Sequence, residues 1–348
     1  MLSYRFQEYG KPLAAMQEAT PVPKGKEVLV RITASGVCHS DIHLWDGAFD
    51  MGGGRKLDIS KGRRLPFTLG HEIAGVVEAV GEAASATVGQ KGIVYPWIGC
   101  GDCPMCRRGD EHACPRPRQL GVNVDGGYAD RVLIPGGHYL YDYGSVPVEL
   151  ACTYACSGIT AYGALKKVKE RAEGRNLLLI GAGGVGFAGL MIAQAMLRTK
   201  LIVADIDDKK LEAAKAAGAD HVVNPKAEGA RKEVMALTDG GAVTAVDFVG
   251  SEATVGFGVS CLGTFGLLAV VGLYGGQYNL SIPLLPLKGI GIVGSFTGSP
   301  AEMGELMALV RAGKVKPLPY ATRPLAQAQA TLDDLRGGRI VGRVVLTP

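Results

Sequence analysis

The chain has no strong imbalance of charge. It carries 37 Lys and Arg against 33 Asp and Glu over 348 residues, a net charge of +4, and no long basic block stands out from the mixture. A charge this slight over such a length does not argue for nucleic-acid binding. The opening residues, Met1 to Glu8, are polar and mixed. They lack the apolar segment of an export signal, so the chain is expected in the cytoplasm. Low-complexity tracts and internal repeats are absent as well. A membrane span is not expected either. The one long uncharged stretch, Leu177 to Leu197, holds five glycines. It reads as a buried strand, a tight turn and a helix, and no second such stretch occurs.

A length of 348 residues favours two domains, because single cores stop growing at about 250–300 residues. The hydrophobic content of 47% allows a large core. Residues 1–150 read as β-rich, with strands over Val28–Ile32 and Ile73–Val80 and turn glycines between such runs. From about residue 155 apolar strands alternate with helical patterns. The strands are Leu177–Ile180, Leu201–Ala204, Ala245–Val249, Leu267–Val271 and Ile290–Val293, and one helix, Lys209–Ala217, is stopped by Gly218. This alternation predicts a parallel, doubly wound sheet. The tail adds helices over Ala301–Ala312 and Leu325–Leu335 and a closing strand, Ile340–Leu346. Residues 50–64, rich in glycine and basic residues, read as a surface loop, with a lid or a subunit contact as the alternative.

Eight cysteines in a chain of this kind point to metal ligands rather than disulfides. Four of them stand as Cys100-x2-Cys103-x2-Cys106-x7-Cys114. Thiolates this close converge on one tetrahedral ion and leave no open position, which describes a structural zinc site. A second group is scattered: Cys38-His39-Ser40-Asp41-x-His43 and Gly70-His71-Glu72. Cys38, His71 and one later cysteine could supply three ligands and keep a fourth position open, but no spacing rule identifies them.

The run Leu177–Ile180 leads into Gly181-Ala-Gly183-Gly184-Val185-Gly186. The first glycine of such a motif permits the tight turn, the second admits a pyrophosphate to the backbone, and the third lets helix pack on strand. The helix N-terminus then offers free N–H groups to phosphate. Asp205 ends the next strand, nineteen residues after Gly186, and is followed by Ile206, Asp207 and Asp208 with no arginine. A carboxylate there can accept both ribose hydroxyls of NAD and would repel a 2′-phosphate, so NAD is expected over NADP.

Gly70-His71-Glu72-x2-Gly75-x5-Gly81-x2-Ala84 reproduces the zinc signature of the medium-chain zinc alcohol dehydrogenases. The chain resembles that family over essentially its whole length. Its Cys-His-Ser-Asp, Leu-Gly-His-Glu-Ile-Ala-Gly and Cys-Ser-Gly-Ile-Thr segments are most similar to the bacterial and archaeal tetrameric members. Archaeal relatives replace one structural thiolate by glutamate, whereas this chain keeps all four. The resemblance implies an α/β fold. A GroES-like β-rich catalytic domain would comprise residues 1–150 and 299–348 and hold two zinc ions, and a Rossmann domain over 151–298 would bind NAD.

By the same resemblance, Cys38, His71 and Cys156 hold the catalytic zinc, with Glu72 behind as an occasional ligand and Asp41 on the other nitrogen of His71. Cys152 and Cys261 are left as plain buried thiols. The implied reaction is reversible oxidation of primary or secondary alcohols, with Ser40 taking the proton and His43 delivering it to water. Lys210 would meet the adenosine ribose and Arg343 the pyrophosphate. Trp97, Trp45, Phe49, Leu120 and Phe296 are candidates for the substrate wall, which would suit cyclic or aromatic alcohols; core packing explains them equally well. The expected partner is a small alcohol or carbonyl compound, with no nucleic acid and no membrane. The expected assembly is a homotetramer, with a dimer as the alternative. Two other readings stay open: a polyol dehydrogenase of the same fold, in which glutamate is commonly the third ligand, and a non-catalytic zinc- and NAD-binding sensor, which would have no use for Ser40 and His43.

Overall fold

In the computed structural model, which describes residues 1–348, the chain leaves its first unit twice and returns each time. Residues 1–48, 58–159 and 298–348 form that unit, and residues 49–57 and 160–297 form the second.

The first unit is built on two long antiparallel strands, Val28–Gly36 and Glu72–Val80, at the middle of a seven-stranded sheet. Val28, Leu29, Val30 and Ile32 supply the β-branched and apolar residues that start the first strand. It runs past the expected end at Ile32 because Ala34, Ser35 and Gly36 pair with Ala74, Ile73 and Glu72. Here pairing overrides weak local propensity. The register also sets Gly36 opposite Glu72, so the chain emerges into Cys38 on one strand beside His71 on the other. Only glycine fits at 36: a Cβ would lie 2.0 Å from Glu72 Oε2. The closing strand, Arg343–Thr347, pairs antiparallel with Val28–Gly36 and parallel with Tyr320–Pro324. That pairing brings the C-terminal segment back to this unit. A core around Phe6, Trp45, Phe67, Leu69, Leu332 and Leu346 lies to one side.

The unit reaches to Ile159 rather than 150, because the turn Cys152–Ala155 packs on both long strands. Cys156 thus belongs to it. The basic loop also divides. Its first part is a hairpin, Ala48–Asp50 with Lys56–Asp58. The hairpin is grouped with the second unit because it seats on residues 275–277: Gly276 N–H donates to Asp50 O at 3.4 Å, and a Cβ on Gly52 would lie 2.6 Å from Gln277 N. The remainder stays in the first unit. There Arg63 stacks 4.9 Å from the Phe67 ring centre and donates to Val122 O at 2.9 Å.

The second unit contains the expected doubly wound sheet. Six parallel strands lie in the order His221–Val223, Lys200–Ala204, Asn176–Ile180, Ala242–Asp247, Leu262–Val270, Gly291–Gly294. The central strands are apolar on both faces, as burial between two helix layers requires. The short strand His221–Val223 and the helices Ala230–Leu237 and Glu252–Cys261 were not anticipated. The long uncharged stretch resolves into strand Asn176–Ile180, a glycine turn and the 13-residue helix Gly184–Met196. No helix is long and apolar enough to cross a membrane.

Candidate active site and metal centres

Three segments of the first unit converge on one buried point. Cys38 is the N-cap of helix His39–Asp46, His71 immediately precedes strand Glu72–Val80, and Cys156 joins the turn Cys152–Ala155 to helix Ser157–Ala172. All three are buried, and their ligand atoms lie within 4.8 Å of one another. The sulfurs of Cys38 and Cys156 are 4.0 Å apart; two sulfurs on one tetrahedral zinc would stand roughly 3.8 Å apart. His71 Nε2 is buried without a hydrogen-bond partner. A buried nitrogen left so costs about 1–3 kcal/mol, and a metal ion would satisfy it. The residues present therefore fit zinc.

Asp41 orders this centre. Its Oδ1 lies 3.0 Å from His71 Nδ1. Its Oδ2 accepts the Cys38 backbone N–H at 2.9 Å and the Tyr128 hydroxyl at 2.8 Å. A carboxylate beside Nδ1 favours the tautomer protonated there, in which Nε2 is the nitrogen available to a metal once the ring is neutral. Burial alone would depress the His71 pKa, but Asp41 reverses this and holds it well above the usual value. The hydrogen bond from Cys156 holds Cys38 well below the usual thiol range against the opposing effect of burial, and His71 adds to it. The same bond, together with burial, pushes Cys156 well up. Metal binding at both sulfurs would require both thiols to lose their protons.

The neighbouring residues divide between the site and its support. Glu72 Oε1 accepts the Ser157 N–H at 3.1 Å and its Oε2 pairs with the Arg343 guanidinium. Both side chains are buried. Glu72 is therefore held by protein partners and is not among the three converging ligands. Arg343, expected at a pyrophosphate, is committed to Glu72, although its Nε has no partner. Ser40 and His43 are half-buried and three residues apart on helix His39–Asp46, hence on one face. Burial, then His39 with its ring 5.6 Å away, lowers the His43 pKa from its ordinary value.

Of the proposed substrate wall, Trp97 lies with its ring 5.5 Å from that of His71, its indole N–H donating to Ala155 O at 3.0 Å. Leu120 is buried and its amide donates to Pro96 O at 3.0 Å. Trp45 belongs elsewhere: it is part of the core, its N–H goes to Lys11 O at 2.6 Å, and Arg336 covers its ring at 4.5 Å. Packing, not substrate contact, explains that residue. Phe49 and Phe296 lie in the second unit. Cys152 is buried and donates to Glu149 O at 3.2 Å, and Cys261 lies in the core of the second unit. Neither is a ligand in the two converging groups.

The other four cysteines meet around the short helix Pro104–Arg107 and the turn Glu111–Ala113: Cys100 and Cys103 precede the helix, Cys106 lies in it, and Cys114 follows the turn. Their ligand atoms lie within 4.8 Å of one another. Cys103 Sγ stands 3.4 Å from Cys106 Sγ and 3.8 Å from Cys114 Sγ. Backbone amides aim at the sulfurs: Cys106 N–H at Cys103 (3.4 Å), and Cys100 and Arg116 N–H at Cys114 (both 3.3 Å). The first of these pulls the Cys103 pKa down to about 7. Gly99 makes room, since a Cβ there would lie 2.5 Å from Cys106 Sγ. Glu111, not foreseen from the sequence, ties the loop to the sheet by accepting Gly99 N–H at 3.1 Å and the Tyr139 hydroxyl at 2.7 Å.

In the second unit the glycine turn has the shape its motif requires. Gly181 has φ +93°, and a Cβ on Gly186 would lie 1.8 Å from Gly181 O. Gly183 is exposed, caps helix Gly184–Met196, and has nothing within 4 Å of where a Cβ would stand. Gly184 and Val185 form the first, half-buried turn. The open backbone and the free helix end suit a pyrophosphate. Asp205 is half-buried, its Oδ2 accepting Ala182 N–H at 2.7 Å and its Oδ1 accepting Asp207 N–H at 2.9 Å. Lys210 sits half-buried in the first turn of helix Asp208–Ala216. Sequence reasoning missed Asp247. Its buried carboxylate accepts Val249 and Gly250 N–H at 2.9 and 3.0 Å and the Thr254 hydroxyl at 2.8 Å. It thereby holds Phe248 and Val249 against Gly189 and Gly181. The available signal was an acid ending an apolar strand just before Gly250-Ser251.

Two closed or nearly closed sulfur-rich sites and a dinucleotide-type turn on a parallel sheet define a zinc-binding oxidoreductase. Comparison with known proteins gives the family. Residues 24–142 match the alcohol dehydrogenase GroES-like domain, and residues 184–312 match the zinc-binding dehydrogenase domain. The chain is 40% identical over 351 residues to an NAD-dependent alcohol dehydrogenase of Sulfurisphaera tokodaii, with all of both chains covered. It is 31% identical to a D-arabinose 1-dehydrogenase (NADP(+)) of Saccharolobus solfataricus, covering 98% of this chain and 96% of that one. The crystal structure of the alcohol dehydrogenase from Aeropyrum pernix superposes with a TM-score of 0.89 at 33% identity, over 100% of each chain. The chain belongs to the medium-chain zinc alcohol dehydrogenase family.

Replacing Cys103 by alanine leaves three sulfurs that cannot close a tetrahedron. If the four sulfurs hold zinc, the variant is expected to carry one zinc ion fewer than the wild type by elemental analysis, and its Tm to fall by about 10 °C or more. An unchanged Tm would contradict a structural role for this site.

Proposed function

We propose that the protein is an NAD-dependent zinc alcohol dehydrogenase, acting reversibly on primary and secondary alcohols with a preference for cyclic or aromatic ones. The observation that carries this reading is the convergence of Cys38, His71 and Cys156, with an unpartnered buried Nε2, in a chain that also has the glycine turn. Cys38, His71 and Cys156 would hold a catalytic zinc, and Cys100, Cys103, Cys106 and Cys114 a structural one, two ions per chain. When bound, the catalytic zinc supplies a Lewis acid at the substrate oxygen and the nicotinamide supplies a hydride acceptor.

The chain's own groups do the rest. Two thiolates and a neutral imidazole bring the charge of the zinc site near zero, and the Asp41 carboxylate keeps His71 in the tautomer that binds through Nε2. The Ser40 hydroxyl takes the alcohol proton while giving up its own, which passes by way of the nicotinamide ribose to His43. His43 carries it to solvent, and its lowered pKa keeps the ring neutral and ready to accept at neutral pH. Trp97 beside His71, with Leu120, is the candidate apolar wall for the substrate. Gly181, Gly183, Gly184, Val185 and Gly186 receive the pyrophosphate, and Asp205 and Lys210 the adenosine ribose. Cys156 as third ligand argues against a polyol dehydrogenase that uses glutamate there. None of the eight cysteines is in a disulfide, which suits the cytoplasm.

The chain is proposed to form a homotetramer. Gly291–Gly294 is the last strand of its sheet, and Leu273, Tyr274, Ile282 and Leu287 nearby in sequence are exposed. An open apolar strand edge favours pairing with a second copy. Light scattering is expected to give a multiple of 36.3 kDa; the monomer mass would contradict it.

A panel of primary, secondary, cyclic and benzylic alcohols and D-arabinose, assayed with NAD and NADP, tests the function. Turnover of alcohols is expected, with NAD preferred by roughly 100-fold or more because a 2′-phosphate would meet Asp205. The double variant Asp205→Gly, Ile206→Arg is expected to weaken NAD and admit NADP. Turnover of D-arabinose alone, or equal kcat/KM for both cofactors, would overturn the assignment.

Ser40→Ala is expected to lose about 10²–10⁴-fold in kcat, the span of general acid–base steps. His43→Ala is expected to lose less, with a rate that rises with buffer base, because water and buffer can replace the last carrier. Wild-type kinetics in both would exclude the relay.

A further inference from the structure

Tyr128 is fully buried, and its hydroxyl donates to Asp41 Oδ2 at 2.8 Å. We propose that Tyr128 is a positioning residue for the catalytic zinc, acting through Asp41 on two ligands at once. The inference rests on the reading that Cys38, His71 and Cys156 hold that zinc.

The geometry of Asp41 makes the case. Oδ1 faces His71 Nδ1 at 3.0 Å, and Oδ2 accepts the Cys38 backbone N–H at 2.9 Å. One carboxylate thus aims an imidazole and fixes the backbone of a thiolate ligand. Neither Asp41 nor His71 is exposed, so bulk solvent does not reach the carboxylate. The Tyr128 hydroxyl is the third contact and the only one from outside the ligand segments; it stops the carboxylate from rotating away from Nδ1. Tyr128 is itself clamped to the segment that carries His71. Its amide donates to Leu69 O at 2.9 Å, and a Cβ on Gly70 would lie 2.5 Å from its ring. It bridges the approach to His71 and the first turn of the helix that Cys38 caps. Packing alone does not call for the hydroxyl, because phenylalanine would fill the same space, and a buried hydroxyl is tolerated only when it is bonded.

The test uses the full-length protein loaded with zinc, in wild-type, Tyr128→Phe, Asp41→Asn and double-variant forms. Release of zinc to a chromophoric chelator reports each ion. Loss of a group that orients a metal ligand typically costs about 10–100-fold in metal affinity. Tyr128→Phe is therefore expected to release one zinc about 10–100-fold faster and the four-cysteine zinc at the wild-type rate. In protein with cobalt(II) at the catalytic site, the visible spectrum is expected to shift in Tyr128→Phe, which a packing role would not cause. Adding Tyr128→Phe to Asp41→Asn is expected to change release little further, because the hydroxyl acts through that carboxylate. Equal release and identical cobalt spectra in wild type and Tyr128→Phe would overturn the inference alone. A wild-type protein that binds only the four-cysteine zinc would overturn the reading of the site, and this inference with it.

Discussion

A bare imidazole nitrogen and two sulfurs share one buried point, and the first unit is organised around satisfying them. Without a cation, Cys38, His71 and Cys156 would bring poorly matched polar atoms together away from water, which apolar packing cannot compensate. The antiparallel register of Val28–Gly36 with Glu72–Val80 brings Cys38 and His71 together, and the turn Cys152–Ala155 packed on those strands delivers Cys156. Gly36 and Glu72, Asp41 and Tyr128, and Arg343 are all spent on holding these segments still. The closing strand contributes as well: Arg343 begins it, so its pairing with Val28–Gly36 and its bond to Glu72 are one anchorage.

The four-cysteine loop solves a similar problem with different means. It has little core of its own, and amides directed at sulfur, a glycine where a side chain would strike Cys106, and Glu111 bonded to Tyr139 do the work that apolar burial does elsewhere. The second unit relies on ordinary burial. Its strands are mostly apolar, with Thr244 bonded to the Asn176 carbonyl, and at or just past their C-terminal ends Asp247 and Asp205 take backbone amides of the loops that border the glycine turn. The buried carboxylates of Glu72 and Asp247 have both oxygens bonded to nearby donors, which is the condition under which a buried carboxylate is tolerable.

Much of this was legible in the sequence for identifiable reasons. Cysteine spacing and the G-x-G-x-x-G turn are local signals, and the strands of the second unit are apolar runs that nothing else explains. What escaped notice depended on contacts distant in sequence. Tyr128 is 87 residues from Asp41, and no periodicity connects them. Arg343 was assigned to a phosphate, but it is bonded to Glu72, 271 residues away. Trp45 could be lining or core from its type alone; the Lys11 carbonyl and Arg336 decide for core. The strand Val28–Gly36 outran its propensity because its partner strand carried it. The hairpin within 48–58 was hidden because its glycines read equally well as a loop.

The account stands or falls on metal at both sulfur-rich sites. Crystals of the protein purified without chelator, measured on either side of the zinc absorption edge, give the most direct test. The account predicts two anomalous peaks per chain, one among Cys38, His71 and Cys156 and one among Cys100, Cys103, Cys106 and Cys114. A map with no peak at the first group in zinc-replete protein, or with Cys38 and Cys156 joined as a disulfide in active enzyme, would contradict it.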